Sequence, residues 1–146
     1  MSSNGARAEV LAGVLRALVD GDHAALTRAL AHDVTMRAPE LTTSTRDELL
    51  EALERRDEAF SDVALDVVPL DVGGSRACAE WTLAMRHTGS IELADDTTIA
   101  PTGLQIELHG VTVAEFLGDE ICSLRQYWNV NSLLEQLGQV GPINPE

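Results

Sequence analysis

Lysine is absent from this sequence: its ten basic residues are all arginine, and they stand against 24 aspartates and glutamates. The formal net charge of −14 at pH 7 repels phosphate backbones, so we expect no nucleic-acid partner. A mechanism that uses a lysine Schiff base is excluded because no lysine amine is available to form it.

Long apolar runs are missing as well. None approaches the roughly 20 residues that a membrane-spanning helix needs, so we expect no membrane partner. Residues 1–7 are small and polar, without the basic start and apolar middle of a secretory signal. The two cysteines, Cys78 and Cys122, lie in apolar, strand-like stretches and are interpreted as free thiols of a reducing compartment. These features together predict a cytoplasmic protein.

Motifs for metals and nucleotides are also lacking. No pair of histidines, or histidine with cysteine, has the spacing of metal ligands. A phosphate loop, a dinucleotide fingerprint and a Gly-x-Ser-x-Gly nucleophile turn are absent. The sequence therefore predicts no metal site, and we expect no cofactor.

The first part of the chain has helical periodicity. Apolar residues at helical spacing predict an amphipathic helix over residues 6–20, which Gly21 ends, and Asp22 is placed to cap a second helix. The polar residues 42–44 are interpreted as a loop. A capping box of Thr45 and Glu48 then begins a third helix, whose core-facing residues extend to Phe60. At 146 residues, the chain fits one domain, 1–146.

From residue 63 the period changes to two, which indicates strands. Residues 90–103, which contain Asp95 and Asp96, have no clean period and are interpreted as a loop or a weak edge strand. Because helices precede strands, the sequence predicts an α+β domain in which a bent antiparallel sheet wraps around three N-terminal helices and leaves a conical pocket. The predicted strands are 34–37, one from residue 63, 76–87, 104–116 and 121–129, followed by a short helix over 132–137.

Several segments carry a family resemblance. They are Arg86-His-Thr-Gly89, Ala100-Pro-Thr-Gly103, Val111 to Phe116, Gly118-Asp-Glu-Ile121 and the closing run of residues 127–138, Tyr-Trp-Asn-Val-Asn-Ser-Leu-Leu-Glu-Gln-Leu-Gly. In this order they resemble the SnoaL-like polyketide cyclases of the NTF2-like superfamily. The resemblance implies a cone-shaped, NTF2-like (cystatin-like) domain, a homodimer formed through the sheet, and no metal or organic cofactor.

The resemblance also implies a small-molecule polyketide substrate and an enzyme that closes its ring, in a mostly apolar pocket. Where such cyclases commonly carry a proton-transferring aspartate, this chain has Asn129, whose amide does not ionise. We therefore expect ring closure by pre-organisation of the substrate, including cycloaddition. Two alternatives stay open: an acid–base aldol cyclase, isomerase or epoxide hydrolase that uses another residue, and a non-catalytic binding protein.

Strand alternation gives the candidate site. Tyr127 and Arg125 share a face with Asn129, which we expect to line the pocket. The alternatives are a helix cap for Asn129 and, for the other two, a polar outer face of the sheet or a dimer interface. Alternation also points Trp81 and His87 inward. The candidate catalytic residues are Asn129, Tyr127, His87, Glu115 and His109, and the candidate substrate-binding residues are Trp81, Arg125, Met36, Leu83, Met85 and Phe116. Parity favours an exposed Glu107–His109 pair unless a bulge at Gly110 exchanges the faces.

Overall fold

A computed structural model describes residues 3–138 of the chain apart from residues 40, 71 and 93–97. Helices and strands follow one another in the order that the sequence predicts, with three additional short strands. The elements are α1 (Ser3–Asp20), α2 (His23–Ala29), β1 (Leu30–Ala38), β2 (Leu41–Thr43), α3 (Arg46–Ala59), β3 (Phe60–Leu70), β4 (Arg76–His87), β5 (Ile91–Glu92), β6 (Thr98–Ile99), β7 (Gln105–Leu117), β8 (Glu120–Trp128) and α4 (Val130–Gln136).

Predicted caps set the helix boundaries. Gly21 has a φ of 70° after α1, and the Asp22 side chain accepts a hydrogen bond from the Ala25 N–H at 3.1 Å. At α3, the Thr45 hydroxyl accepts from the Glu48 N–H at 3.1 Å. These side chains satisfy N–H groups that have no partner inside the helix.

Six strands form a curved, open sheet in the order β2-β1-β8-β7-β4-β3. Neighbours in the sheet are antiparallel, except that β1 pairs with β8 in parallel. The sheet is therefore mixed, and not wholly antiparallel as the sequence predicts. β8 comes to lie beside β1 only after the α3 crossover and the β3–β4–β7 meander, and it runs in the same direction as β1. The predicted α+β class is confirmed.

Four local predictions need correction. Residues 42–44, predicted as a loop, largely belong to β2, which pairs back onto β1 with Met36 opposite Thr43. Phe60 is the first residue of β3 rather than part of α3. Within 90–103, Ile91 pairs with Ile99 in a small hairpin, while Asp95 and Asp96 lie outside the described residues. The last helix begins at Val130, not at Ser132.

The two faces of the sheet differ in burial. The face toward the helices, here the concave face, joins one apolar core with α1, α2 and α3. α1 packs on β3 and β4, and α3 packs on β1. The opposite face, here the outer face, carries the charged and exposed members of each strand. No helix within the described residues is long and apolar enough to cross a membrane.

Candidate functional site

Trp81 forms a wall of the concave face. Its side chain is 8% exposed, and its indole N–H donates to the buried Thr112 hydroxyl at 3.0 Å. The ring lies against Gly110 on the neighbouring strand β7, where a Cβ would stand only 2.6 Å from Cη2 and 2.7 Å from Cε2. Gly110 is therefore the residue that lets the indole lie flat on the sheet. The predicted inward orientation of Trp81 is confirmed.

His87 ends the same strand and also points inward. It is 0% exposed, and its ring tilts against Phe60 at 5.7 Å between centroids. The loop after β6 closes over it: the Thr102 hydroxyl lies 2.9 Å from Nδ1, and the Thr102 N–H donates to Nδ1 at 3.2 Å. The inward orientation predicted for His87 is confirmed.

The other ring nitrogen of His87 is buried and finds no hydrogen-bond partner among the described residues. Burying a polar nitrogen without a partner costs free energy. Such an atom in a folded protein calls for an explanation, and a bound ligand is one. Nε2 is therefore a buried polar atom without a described partner on an otherwise apolar face.

The four apolar residues predicted to bind the substrate are buried or half-buried, but Phe116 lies beyond the Arg76 end of β4, at the opposite end of the sheet from His87. Met36 and Phe116 are buried in the core on β1 and β7, and Met85 is buried one inward position before His87. Leu83 is half-buried and packs against the same core. All four belong to the concave face.

Thr43 and Thr102 were missed by sequence analysis. Thr43 pairs with Met36 on β2, and its buried hydroxyl also has no partner among the described residues. Its position was hidden because residues 42–44 were interpreted as a loop. Thr102 lies in the Pro-Thr-Gly segment of the resemblance, whose spacing to His87 gave no sign of contact.

Tyr127 and Arg125 face outward, so their predicted position in the pocket is wrong. Tyr127 stands opposite Val111, Arg125 stands opposite Val113, and Tyr127 is 57% exposed. The period-two grouping was right, but the choice of face was wrong. It was anchored on Asn129, which lies beyond the end of β8, where strand parity no longer applies.

Asn129 caps α4. Its Oδ1 accepts a hydrogen bond from the Asn131 N–H at 2.9 Å, and the residue is exposed. This is the alternative role that the sequence left open. The structure does not place Asn129 among the buried residues of the concave face.

The remaining candidates lie on the outer face. The strand register runs through Gly110 without a shift, so Glu107 and His109 stay exposed as their parity predicted, 3.5 Å apart between Oε1 and Nε2. Glu115 lies 3.8 Å from Arg125. These carboxylates and this imidazole are therefore separated from His87 by the thickness of the sheet.

Gln136, in the closing run of residues 127–138, has a structural role. β8 ends opposite Gly110, so the preceding part of β7 pairs with no strand of the described residues on that side. The Gln136 carboxamide takes the strand's place: it accepts from the Glu107 N–H at 2.8 Å and donates to the Glu107 carbonyl at 2.8 Å. These two bonds hold α4 beside the sheet.

The outer face carries a shallow depression of about 500 Å³. It lies between exposed side chains of β3, β4, β7 and β8. Those that line it include Asp66, Val68, Thr82, His109, Val111 and Tyr127. Cys78 lies on the same face, and its partial burial raises the pKa of the thiol. Within the described part of the chain, no three or more His, Cys, Asp or Glu side chains are grouped to hold a metal ion.

The chain is similar to known proteins in sequence pattern and in fold. The family model of the SnoaL-like domain matches residues 11–124. No curated protein matches the sequence significantly.

Three solved structures illustrate the fold. AclR of Streptomyces galilaeus, a proposed hydroxylase, superposes with a TM-score of 0.75 at 20% identity, covering 94% of this chain and 98% of its own. A proposed polyketide cyclase of Xanthomonas campestris pv. campestris gives 0.78 at 22%, covering 92% and 98%. A Catenulispora acidiphila protein with a ketosteroid isomerase-like fold, bound to trimethylamine, gives 0.72 at 20%, covering 94% and 98%. Because these neighbours carry different assignments, the likeness establishes the fold and not the reaction.

Proposed function

Since the chain belongs to the SnoaL-like domain family, we propose that it is a polyketide cyclase-like enzyme that closes a ring within one substrate molecule. The substrate binds on the concave face, against Trp81, Leu83 and Met85. The observation that carries this proposal is the buried Nε2 of His87, which has no partner in the described part of the chain and lies on an otherwise apolar surface.

The chemistry of this face favours shaping the substrate over transferring protons. Apolar walls bind a hydrophobic chain by removing it from water. Holding two reacting atoms near attack distance removes on the order of 7–11 kcal/mol of barrier in well-oriented cases. A cyclisation, including a cycloaddition, therefore proceeds on such a surface without the aspartate that Asn129 replaces.

The test is turnover of linear and partly cyclised polyketide intermediates by the purified protein. We expect a cyclised product, of equal mass or lighter by one water, at a rate that falls at least tenfold in Trp81→Phe and less than twofold in Asn129→Ala. Conversion without any loss in Trp81→Phe would contradict catalysis on the concave face. Tight binding without conversion would instead support a binding protein.

A pH–rate profile distinguishes this proposal from acid–base catalysis. Catalysis by substrate shape gives a rate that varies little with pH in the range where the protein stays folded. A titrating limb that disappears in a His87 variant would instead identify an aldol cyclase, isomerase or epoxide hydrolase with an ionising imidazole.

The outer face is the proposed surface of a homodimer. Exposed Tyr127 and Val68 supply apolar contact, while Arg37 and Arg125 lie toward one end of the sheet and Asp66 toward the other. A twofold axis along the strands sets the basic end of one sheet against the acidic end of its partner. Sedimentation should show a dimer that high salt weakens and that the double variant Tyr127→Asp, Val68→Asp abolishes; a wild-type monomer at about 100 µM would contradict it.

A further inference from the structure

We propose that Thr102 holds His87 in the tautomer that carries its proton on Nε2, and that this N–H donates to a carbonyl oxygen of the bound substrate. The second half rests on the proposed function, whereas the first half concerns only the protein. Thr102 is thus a positioning residue, and His87 is the residue that touches the substrate.

The hydrogen-bond network fixes the direction of each bond around Thr102. The Leu104 N–H donates to the Thr102 hydroxyl oxygen at 3.2 Å. The hydroxyl proton is then free to point at His87 Nδ1, 2.9 Å away. The Thr102 backbone N–H also points at Nδ1, at 3.2 Å.

Two donors therefore converge on one ring nitrogen. A proton on Nδ1 would face both of them, so Nδ1 is the acceptor and the proton of the neutral ring lies on Nε2. The ring is left with a single donor, Nε2–H, which is buried and has no partner among the described residues.

The backbone keeps this arrangement in place. The His87 N–H donates to the Leu104 carbonyl at 3.0 Å, and the Gly103 N–H donates to the His87 carbonyl at 2.8 Å. Gly103 has a φ of 71°, a conformation that glycine adopts at low cost. The loop therefore cannot turn Thr102 away without breaking strand-like pairing at the end of β4.

A fixed N–H in an apolar site selects a hydrogen-bond acceptor. A ketone or enolate oxygen satisfies Nε2, and the bond strengthens as negative charge develops on that oxygen during carbon–carbon bond formation. A hydroxyl or amine proton directed at Nε2 finds no lone pair there. The chemical class that the site takes is therefore an apolar molecule with a carbonyl oxygen at the His87 end.

The tautomer is tested by nitrogen NMR of the ¹⁵N-labelled full-length protein at pH 8, with the His87 signals identified by their loss in His87→Phe. We expect a protonated, pyrrole-type Nε2 and an unprotonated, pyridine-type Nδ1. In Thr102→Val the Nδ1 resonance should move toward that of an unbonded nitrogen, and Thr102→Ser should restore it. A proton on Nδ1, or no movement in Thr102→Val, would overturn the positioning role.

The donor is tested with two probes of matched shape, 2-acetylnaphthalene and 2-isopropenylnaphthalene, whose binding is followed by tryptophan fluorescence. The wild-type preference for the ketone should fall by about tenfold in His87→Phe, the effect of one buried hydrogen bond. An unchanged preference would overturn the donor role. Failure of both probes to bind would count against the proposed function, while the NMR result would still decide the tautomer.

Discussion

Trp81 and Thr82 are neighbours in β4, yet they lie on opposite faces of the sheet. The Trp81 indole N–H donates to the Thr112 hydroxyl of β7 at 3.0 Å. The Thr82 hydroxyl shares a hydrogen bond with His109 Nδ1 of the same strand at 3.1 Å. The first bond is buried under the helices and the second is exposed. Since water competes for the exposed bond, burial and not length decides how much each contributes to stability.

The same contrast holds for the candidate functional residues. On the concave face, His87 is fully buried, with Nδ1 hydrogen-bonded and Nε2 without a partner among the described residues. On the outer face, His109 is exposed beside Glu107, where surface ion pairs contribute little. The surroundings of a histidine therefore decide whether it is a functional candidate. Buried His87 is one, and exposed His109 on the other face of the sheet is not.

The largest expected effect comes from Trp81→Ala. Removing the indole leaves a cavity and an unpaired Thr112 hydroxyl, so we expect the free energy of unfolding to fall by about 3–5 kcal/mol. Thr82→Ala, one residue along on the outer face, should change it by about 0.5 kcal/mol or less. Urea denaturation measures both. Similar losses in the two variants would contradict the difference between the faces.

Gly110→Ala tests how closely the ring packs on β7. The new Cβ meets the Trp81 ring, which has to shift within a packed core, and we expect a loss of about 1–3 kcal/mol in the same measurement. The control is Gly13→Ala in α1, where a Cβ meets nothing within 4 Å and a gain of about 0.5–1 kcal/mol is expected. If Gly110→Ala left the free energy of unfolding unchanged, the Trp81 ring would not be packed closely on β7.

A smaller effect is expected at the end of the sheet. Gln136→Ala removes two hydrogen bonds to the Glu107 backbone, which water partly replaces, so the expected loss is about 1–2 kcal/mol. The exposed neighbour Glu135→Ala is the control and should be close to neutral. Equal values for the two variants would show that the carboxamide does not hold α4.

The smallest effect concerns Cys78 on the outer face. Partial burial raises the pKa of its thiol, so less thiolate is present at a given pH and alkylation is slower. In a Cys122→Ser background, the pH of half-maximal alkylation rate should lie above that of a free cysteine peptide. A midpoint at or below that of the peptide would contradict the shift.

Sequence patterns predicted most of the fold because caps and periodicity are local. The Thr45 cap, the Gly21 stop and the alternation of β4 each depend on residues within a few positions, and each is confirmed. The parallel pairing of β1 with β8 was not foreseen because strand order depends on contacts far apart in the sequence.

The candidate site was predicted in part for the same reason. Alternation placed Trp81 and His87 correctly, since both lie within one regular strand. It misplaced Tyr127, because counting began from Asn129 outside the strand. Thr102 escaped notice because it meets His87 through a loop, and no period describes a loop.

Gln136 also bears on how this chain behaves in a crowded solution. A strand with free N–H and C=O groups along one side is a template onto which another chain can add, and this is how many sheets aggregate. The Gln136 carboxamide hydrogen-bonds the Glu107 N–H and C=O, so these two groups cannot pair with another chain. A chain that ends before α4 would fold most of its core but would leave the Glu107 N–H and C=O groups open to pairing with another chain.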